Sequence, residues 1–156
     1  NLIDGGGQEK GLRSGTESVP LIAGFCGAVE ELGNISENLK YIEDLNQYTR
    51  ENIKKYEFIK INSPGSALPY ILNISLPHYR SETLLHFLEM KNIFVSSGSA
   101  CSKGELSYVL SSIGLDKTRI DSALRLSFSK EITKEDIDCV LLALEEATKK
   151  LRRSKI

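Results

Sequence analysis

Three places in the sequence carry residue types that could do chemistry. Cys101 stands in Ser96-Ser97-Gly98-Ser99-Ala100-Cys101-Ser102-Lys103-Gly104, a run with almost no side-chain bulk. Small neighbours leave a thiol accessible, and Lys103 close by favours the thiolate, the nucleophilic form of cysteine. Composition alone gives an ordinary surface cysteine equal standing. Arg125 lies where Leu124, Leu126 and Phe128 alternate with Arg125 and Ser127. That period of two predicts a strand with the leucines inward and Arg125 on the opposite face. A guanidinium fixed there could grip a carboxylate through two parallel hydrogen bonds, as recognition of an amino acid requires. A plain exposed strand arginine is the simpler alternative. The third place is the segment 4–16, whose five glycines lead to Thr16. Backbone amides, a hydroxyl and the start of a helix together suit a phosphate group, with Arg13 available to add charge. No Walker or dinucleotide fingerprint is present there.

The remaining candidates read as packing or surface. Cys26 falls on the stripe of Ile22, Phe25, Val29 and Leu32, and Cys139 sits in a helical stretch without partner spacing, so both are expected to be packed. No Cys or His pair has the spacing of a zinc site. His78 and His86 read as surface residues, His86 sharing a polar helix side with Glu82 and Glu89. No Ser-His-Asp or Cys-His grouping is legible.

These residues need a scaffold, and periodicity supplies one. Helices are predicted over 19–32 and 36–56, the second largely solvated, with Leu39, Ile42, Leu45 and Ile53 as its apolar side. Strands are predicted over 58–61 and 70–76, separated by the turn signal Asn62-Ser63-Pro64-Gly65-Ser66. Ser81 is read as the cap of a helix that buries Leu84, Leu85 and Leu88, followed by a strand over 93–95. A short helix over 108–113 stops at Gly114, a strand covers 123–129, and Thr133 caps a last helix burying Ile137, Val140, Leu141, Leu144 and Leu151. Strands and helices without βαβ alternation predict an α+β fold, a small mixed or antiparallel sheet covered by helices. Residues 1–18 read as a glycine-rich lead-in and 19–156 as a single domain.

Composition removes several function classes. Apolar residues at 40%, charged residues at 26% and a formal charge of −1 describe a globular chain with no field that seeks nucleic acid or a membrane. There is no apolar run of bilayer length and no signal-peptide layout, and three scattered cysteines do not make a secreted disulfide framework. A cytoplasmic protein is expected.

Three ordered blocks then carry a resemblance. Gly5-Gly6-Gly7-Gln8-Glu9 with Arg13-Ser14-Gly15-Thr16-Glu17, the Ser96-Ser97-Gly98-Ser99-Ala100-Cys101-Ser102 run, and Leu124-Arg125-Leu126-Ser127 closely resemble the NifS/IscS-like cysteine desulfurases. The likeness extends through Tyr70-Ile71-Leu72-Asn73-Ile74-Ser75 and Tyr108-Val109-Leu110. Lys10 stands where that family usually has arginine, and the stretch from Cys101 to Tyr108 is shorter than in many members.

The resemblance implies the carboxy-terminal small domain of a homodimeric, fold-type-I enzyme that uses pyridoxal 5'-phosphate (PLP) to take sulfur from L-cysteine. It puts Cys101 at the persulfide-forming nucleophile and Arg125 at the substrate carboxylate. Thr16 falls where the family reaches the PLP phosphate of the other subunit. The sulfur would pass to an acceptor such as an iron–sulfur scaffold. The family's PLP lysine falls in a Ser-x-His-Lys setting upstream of Gly5, so these 156 residues are expected to be inactive alone. The competing reading is a separate, non-catalytic module that accepts sulfur or dimerises.

Overall fold

The computed structural model describes residues 2–97 and 107–153. The chain forms two compact units, Asn1–Ser36 and Glu37–Ile156. The helix over the apolar stripe near residue 25 falls in the first unit, whereas the sequence pattern groups it with the rest of the chain.

In the first unit the glycine-rich segment folds back on itself. Ile3 and Arg13 form a parallel bridge, Ser14 Oγ donates to the Asp4 carbonyl at 2.9 Å, and a 3-10 turn spans Gln8–Gly11. Gly5 has φ of +148°, and a Cβ there would lie 2.7 Å from the Ser14 Cβ, so both backbone angle and space demand glycine. Helix α1, Val19–Glu31, follows, with Pro20 in its first turn as expected. It buries none of its residues: Ile22, Phe25, Val29 and Leu32 are all exposed. Cys26 is exposed too, which corrects the expectation that it packs. The helical spacing of the apolar residues holds, but nothing within the helix's own unit covers that stripe.

The second unit is built on a four-stranded antiparallel sheet with the order β1-β2-β4-β3, where β1 is Lys60–Ile61, β2 Ile71–Ser75, β3 Ser96–Ser97 and β4 Ala123–Ser127. Leu72, Ile74, Leu124 and Leu126 bury one face of the central pair. Three helices supply the opposing apolar stripes: Ile42, Leu45 and Ile53 of α2 (Ile35–Ile53), Leu84, Phe87 and Leu88 of α3 (Ser81–Glu89), and Ile137, Leu141 and Leu144 of α6 (Lys134–Lys150). This is the α+β architecture expected from the sequence.

The other sheet face is covered only in part. Leu110 of α4 (Tyr108–Ser112) and Ile120 of α5 (Lys117–Asp121) pack on Ala123 as a second, smaller cluster. Residues two apart on a strand share a face. The face that buries Ala123 therefore carries Arg125 and Ser127 onward into the open.

Local differences from the sequence reading have physical causes. Ser81 is the first residue of α3 and is buried, while Arg80 holds the cap position with no side-chain capping bond. Phe87 replaces Leu85 in the buried stripe. Ile93 and Val95 pack partly against the core, but ladder pairing begins only at Ser96, because alternation reports burial and not hydrogen-bonded pairing. The five-residue helix α5 lacks the length to show a period. Thr133 caps α6 as expected, forming a capping box in which its hydroxyl accepts from the Asp136 amide and Asp136 accepts from the Thr133 amide at 2.8 Å. Cys139 is exposed, a second correction: it lies two residues from both Ile137 and Leu141, which turns it off the buried stripe.

Candidate functional site

Arg125 lies in a cleft of about 380 Å³ on the open face of the sheet. The cleft is walled by the β1–β2 turn (Asn62, Ser63, Pro64), by Asn73 of β2, and by α4 with its two flanking residues Ser107 and Ile113. Arg50 of α2 fixes that turn from beneath. Its guanidinium donates to the carbonyls of Ser63 at 3.1 Å and Pro64 at 3.0 Å, while its Nε is held by Asn46 Oδ1 at 2.7 Å. A turn that must line a site is thereby tied to the rigid helix layer.

Among the described residues the Arg125 side chain makes one hydrogen bond, from Nη2 to Ser96 Oγ at 3.2 Å. Among the described residues it has no carboxylate partner. Toward the described residues the guanidinium is therefore held at one edge and otherwise open, an arrangement suited to a carboxylate.

A hydrogen-bond chain fixes the neighbouring amide. Arg119 of α5 donates from Nε and Nη2 to Asn62 Oδ1 at 3.1 and 2.6 Å. Arginine has no acceptor, so the atom it meets must be the Asn62 oxygen. Asn62 Nδ2 is then the donor to Asn73 Oδ1 at 2.6 Å and to the buried Ser75 Oγ at 2.7 Å. Ser75 passes its own proton to the Arg119 carbonyl at 2.6 Å, which closes the network. With its oxygen used, Asn73 has its Nδ2 donors left, and none is bonded among the described residues.

The segment that contains Cys101, residues 98–106, lies outside the described residues, as does Lys103. Its two flanks do not. Ser97 pairs with Leu124 next to Arg125, and Ser107 both lines the cleft and caps α4 by accepting from the Leu110 amide at 3.4 Å. Thr16 belongs to the first unit, where it is exposed and has no hydrogen-bond partner among the described residues. Arg13 is not free for a ligand in the same way: its guanidinium donates to the Gly15 carbonyl at 2.8 Å.

Sequence reasoning missed Asn73, Asn62 and Arg119. A signal for Asn73 existed, since Asn73 and Ser75 are the polar partners of Leu72 and Ile74 on an alternating strand. Nothing in the linear sequence could show that Asn73 faces Arg125, because strand order and register are tertiary facts. His78 and His86 are exposed as expected, His86 sitting 2.9 Å from Glu89. No group of three or more His, Cys, Asp or Glu side chains suited to a metal occurs among the described residues. No helix there is long and apolar enough to cross a membrane.

Comparison with known proteins gives consistent results. The model of the aminotransferase class-V family matches residues 5–140. A mitosomal cysteine desulfurase of Encephalitozoon cuniculi is 37% identical over 155 residues, covering 97% of this chain and 35% of the relative. A cysteine desulfurase IscS of Buchnera aphidicola is 39% identical, covering 96% of this chain and 38% of the relative. The solved structure of a NifS-like protein from Rickettsia africae superposes with a TM-score of 0.77 at 37% identity, covering 95% of this chain and 39% of that one. The chain thus spans less than two-fifths of the length of these relatives.

Proposed function

Because the chain belongs to the aminotransferase class-V family, we propose that it is the carboxy-terminal small-domain part of a PLP-dependent cysteine desulfurase. The observation that carries this reading is the Arg125 cleft: a guanidinium without a carboxylate partner among the described residues, flanked by both ends of the segment that holds Cys101. The described residues suit such an enzyme. Arg125 and the Asn73 amide offer converging donors to the carboxylate of L-cysteine. Thr16 offers a hydroxyl without a partner among the described residues, and α1 begins two residues beyond Glu17 with no side-chain cap on its first amides, features that fit a phosphate ester.

PLP, when bound, supplies an electron sink that makes the C–S bond of cysteine breakable. The work of this chain is orientation and nucleophilic attack. Arg125 fixes the carboxylate, and the Cys101 thiolate attacks the substrate sulfur. An S–S bond forms as the C–S bond breaks; its electron pair leaves with the three-carbon fragment, which takes up a proton and departs as alanine. The sulfur remains on Cys101 as a persulfide for a downstream acceptor that builds iron–sulfur clusters or thio-cofactors. A homodimer would let Thr16 serve the partner's cofactor phosphate, and a reducing compartment, in the simplest case the cytoplasm, would keep the thiol free.

The test uses the full-length enzyme with L-cysteine, followed by mass analysis of the peptide carrying residue 101. A persulfide should form in the wild type and vanish in Cys101→Ser, with PLP still bound. Sulfur transfer by the serine variant would defeat the assignment. The 156-residue chain alone should release no sulfide.

A further inference from the structure

A second anion-receptive surface lies away from the Arg125 cleft, where α3 begins and α6 ends. Arg80, Arg152 and Arg153 converge with Thr83 on a cleft of about 250 Å³, and no carboxylate lines it among the described residues. All three arginines are exposed, and none of their guanidinium groups has an ion-pair or hydrogen-bond partner among the described residues. Three lysines of the same unit, by contrast, are paired: Lys91 and Lys150 both meet Glu146, and Lys149 meets Glu145. Three like charges gathered without a counter-ion among the described residues repel one another, a cost that an anionic partner removes.

The floor of this cleft is rigid. Tyr79 is buried, and its hydroxyl donates to the Thr148 carbonyl of α6 at 3.1 Å. Tyr79 and Arg153 also line an adjoining cleft of about 310 Å³ that adds Lys60 and His78, against the single carboxylate of Glu57. The two clefts meet at Tyr79 and Arg153 and form one basic groove. A lone phosphate would leave most of it empty, whereas an extended chain bearing several carboxylates fills both parts.

We infer that this groove docks an acidic peptide segment of a partner protein, with Arg80, Arg152 and Arg153 as its carboxylate receptors. The assignment is independent of the desulfurase reading, since it rests on no residue of the Arg125 cleft. Bidentate arginine–carboxylate pairs give geometric selectivity as well as charge attraction, so the effect must be site-specific and not a matter of net charge.

The 156-residue chain itself serves for the test, with a fluorescein-labelled oligoglutamate peptide followed by fluorescence anisotropy at low ionic strength. Saturable binding is expected, weakened about tenfold by Arg80→Gln and again by Arg153→Gln. Lys117→Gln, an exposed charge on α5, should leave binding unchanged. Because the guanidinium groups bond to no other described residue, circular dichroism should show all variants folded. Three outcomes would overturn the inference: no saturable binding, an equal loss in Lys117→Gln, or displacement of the peptide by an equal concentration of inorganic phosphate.

Discussion

Asn73 and Arg125 stand directly opposite each other in the β2–β4 ladder, and both line the same cleft. The orientation of the Asn73 amide is forced from a distance. Arg119 can only donate, so Asn62 must present its oxygen to Arg119 and its NH₂ to Asn73 Oδ1, which leaves the Asn73 NH₂ as the free end. The cleft therefore holds two kinds of donor side by side and no competing carboxylate among its lining residues.

Removing the guanidinium should cost a charge-assisted bidentate contact, on the order of 2–3 kcal/mol. In the full-length enzyme Arg125→Ala is then expected to lower kcat/KM for L-cysteine by roughly 30- to 150-fold. Asn73→Ala should have a smaller effect, and Asn73→Asp a larger one than Asn73→Ala, because a carboxylate directly opposite Arg125 competes for it. Steady-state kinetics on the three variants decide the matter. Unchanged kinetics in Arg125→Ala would remove it from the site.

Much of this arrangement is legible in the sequence alone, and the parts that are not share a common cause. The alternation of Leu124, Leu126 and Phe128 with Arg125 and Ser127 needs only the period of a strand, and burial follows it residue by residue. The capping box at Thr133 is likewise local chemistry. The Arg119–Asn62–Asn73 chain joins residues far apart in sequence, so no window could hold it. Cys26 shows the converse: its helical stripe is real, but a stripe says that a surface wants covering and not that its own unit covers it.

The exposure of both helical cysteines has a chemical consequence. Cys26 and Cys139 are both exposed, so limited alkylation of the native 156-residue chain should label both without denaturant. Peptide mass analysis gives the extent at each position. If Cys139 reacted only after unfolding, its placement on the outer side of α6 would be wrong. If Cys26 were protected in the full-length enzyme but not in this chain, the missing cover of α1 would be located.

Stability should be concentrated where the three helices meet the sheet. Leu144 is fully buried between α6 and the strands, and Leu144→Ala should destabilise the chain by about 2–5 kcal/mol through lost contacts and the cavity left behind. Thr133→Ala removes only the hydroxyl of the capping box and should cost about 1 kcal/mol. Urea denaturation with a common slope tests both, and a Thr133→Ala effect as large as that of Leu144→Ala would mean that the cap does more than close a helix end.

Acid should weaken the tie between α3 and α6. Glu146 of α6 is held below the ordinary carboxylate range, from 4.5 to about 2, first by its hydrogen bond with Lys150 and then by that with Lys91. The Lys91 Nζ reaches it at 2.6 Å from just beyond the end of α3, so the carboxylate ties two helices together. A carboxyl whose folded pKa is depressed binds its proton more weakly in the folded state than in the unfolded one. Its contribution is therefore complete above pH 4.5 and is lost progressively as pH falls toward about 2. The pair is solvent-accessible, so salt should shrink the effect. Glu146→Gln should match the wild type's lower-pH stability more closely than its neutral-pH stability, because the amide cannot gain or lose the proton. Urea midpoints of both proteins, measured above pH 4.5 and again between there and about pH 2, should converge as the solution is acidified. A gap between the two proteins that stayed constant through this window would show that Glu146 contributes shape and not charge.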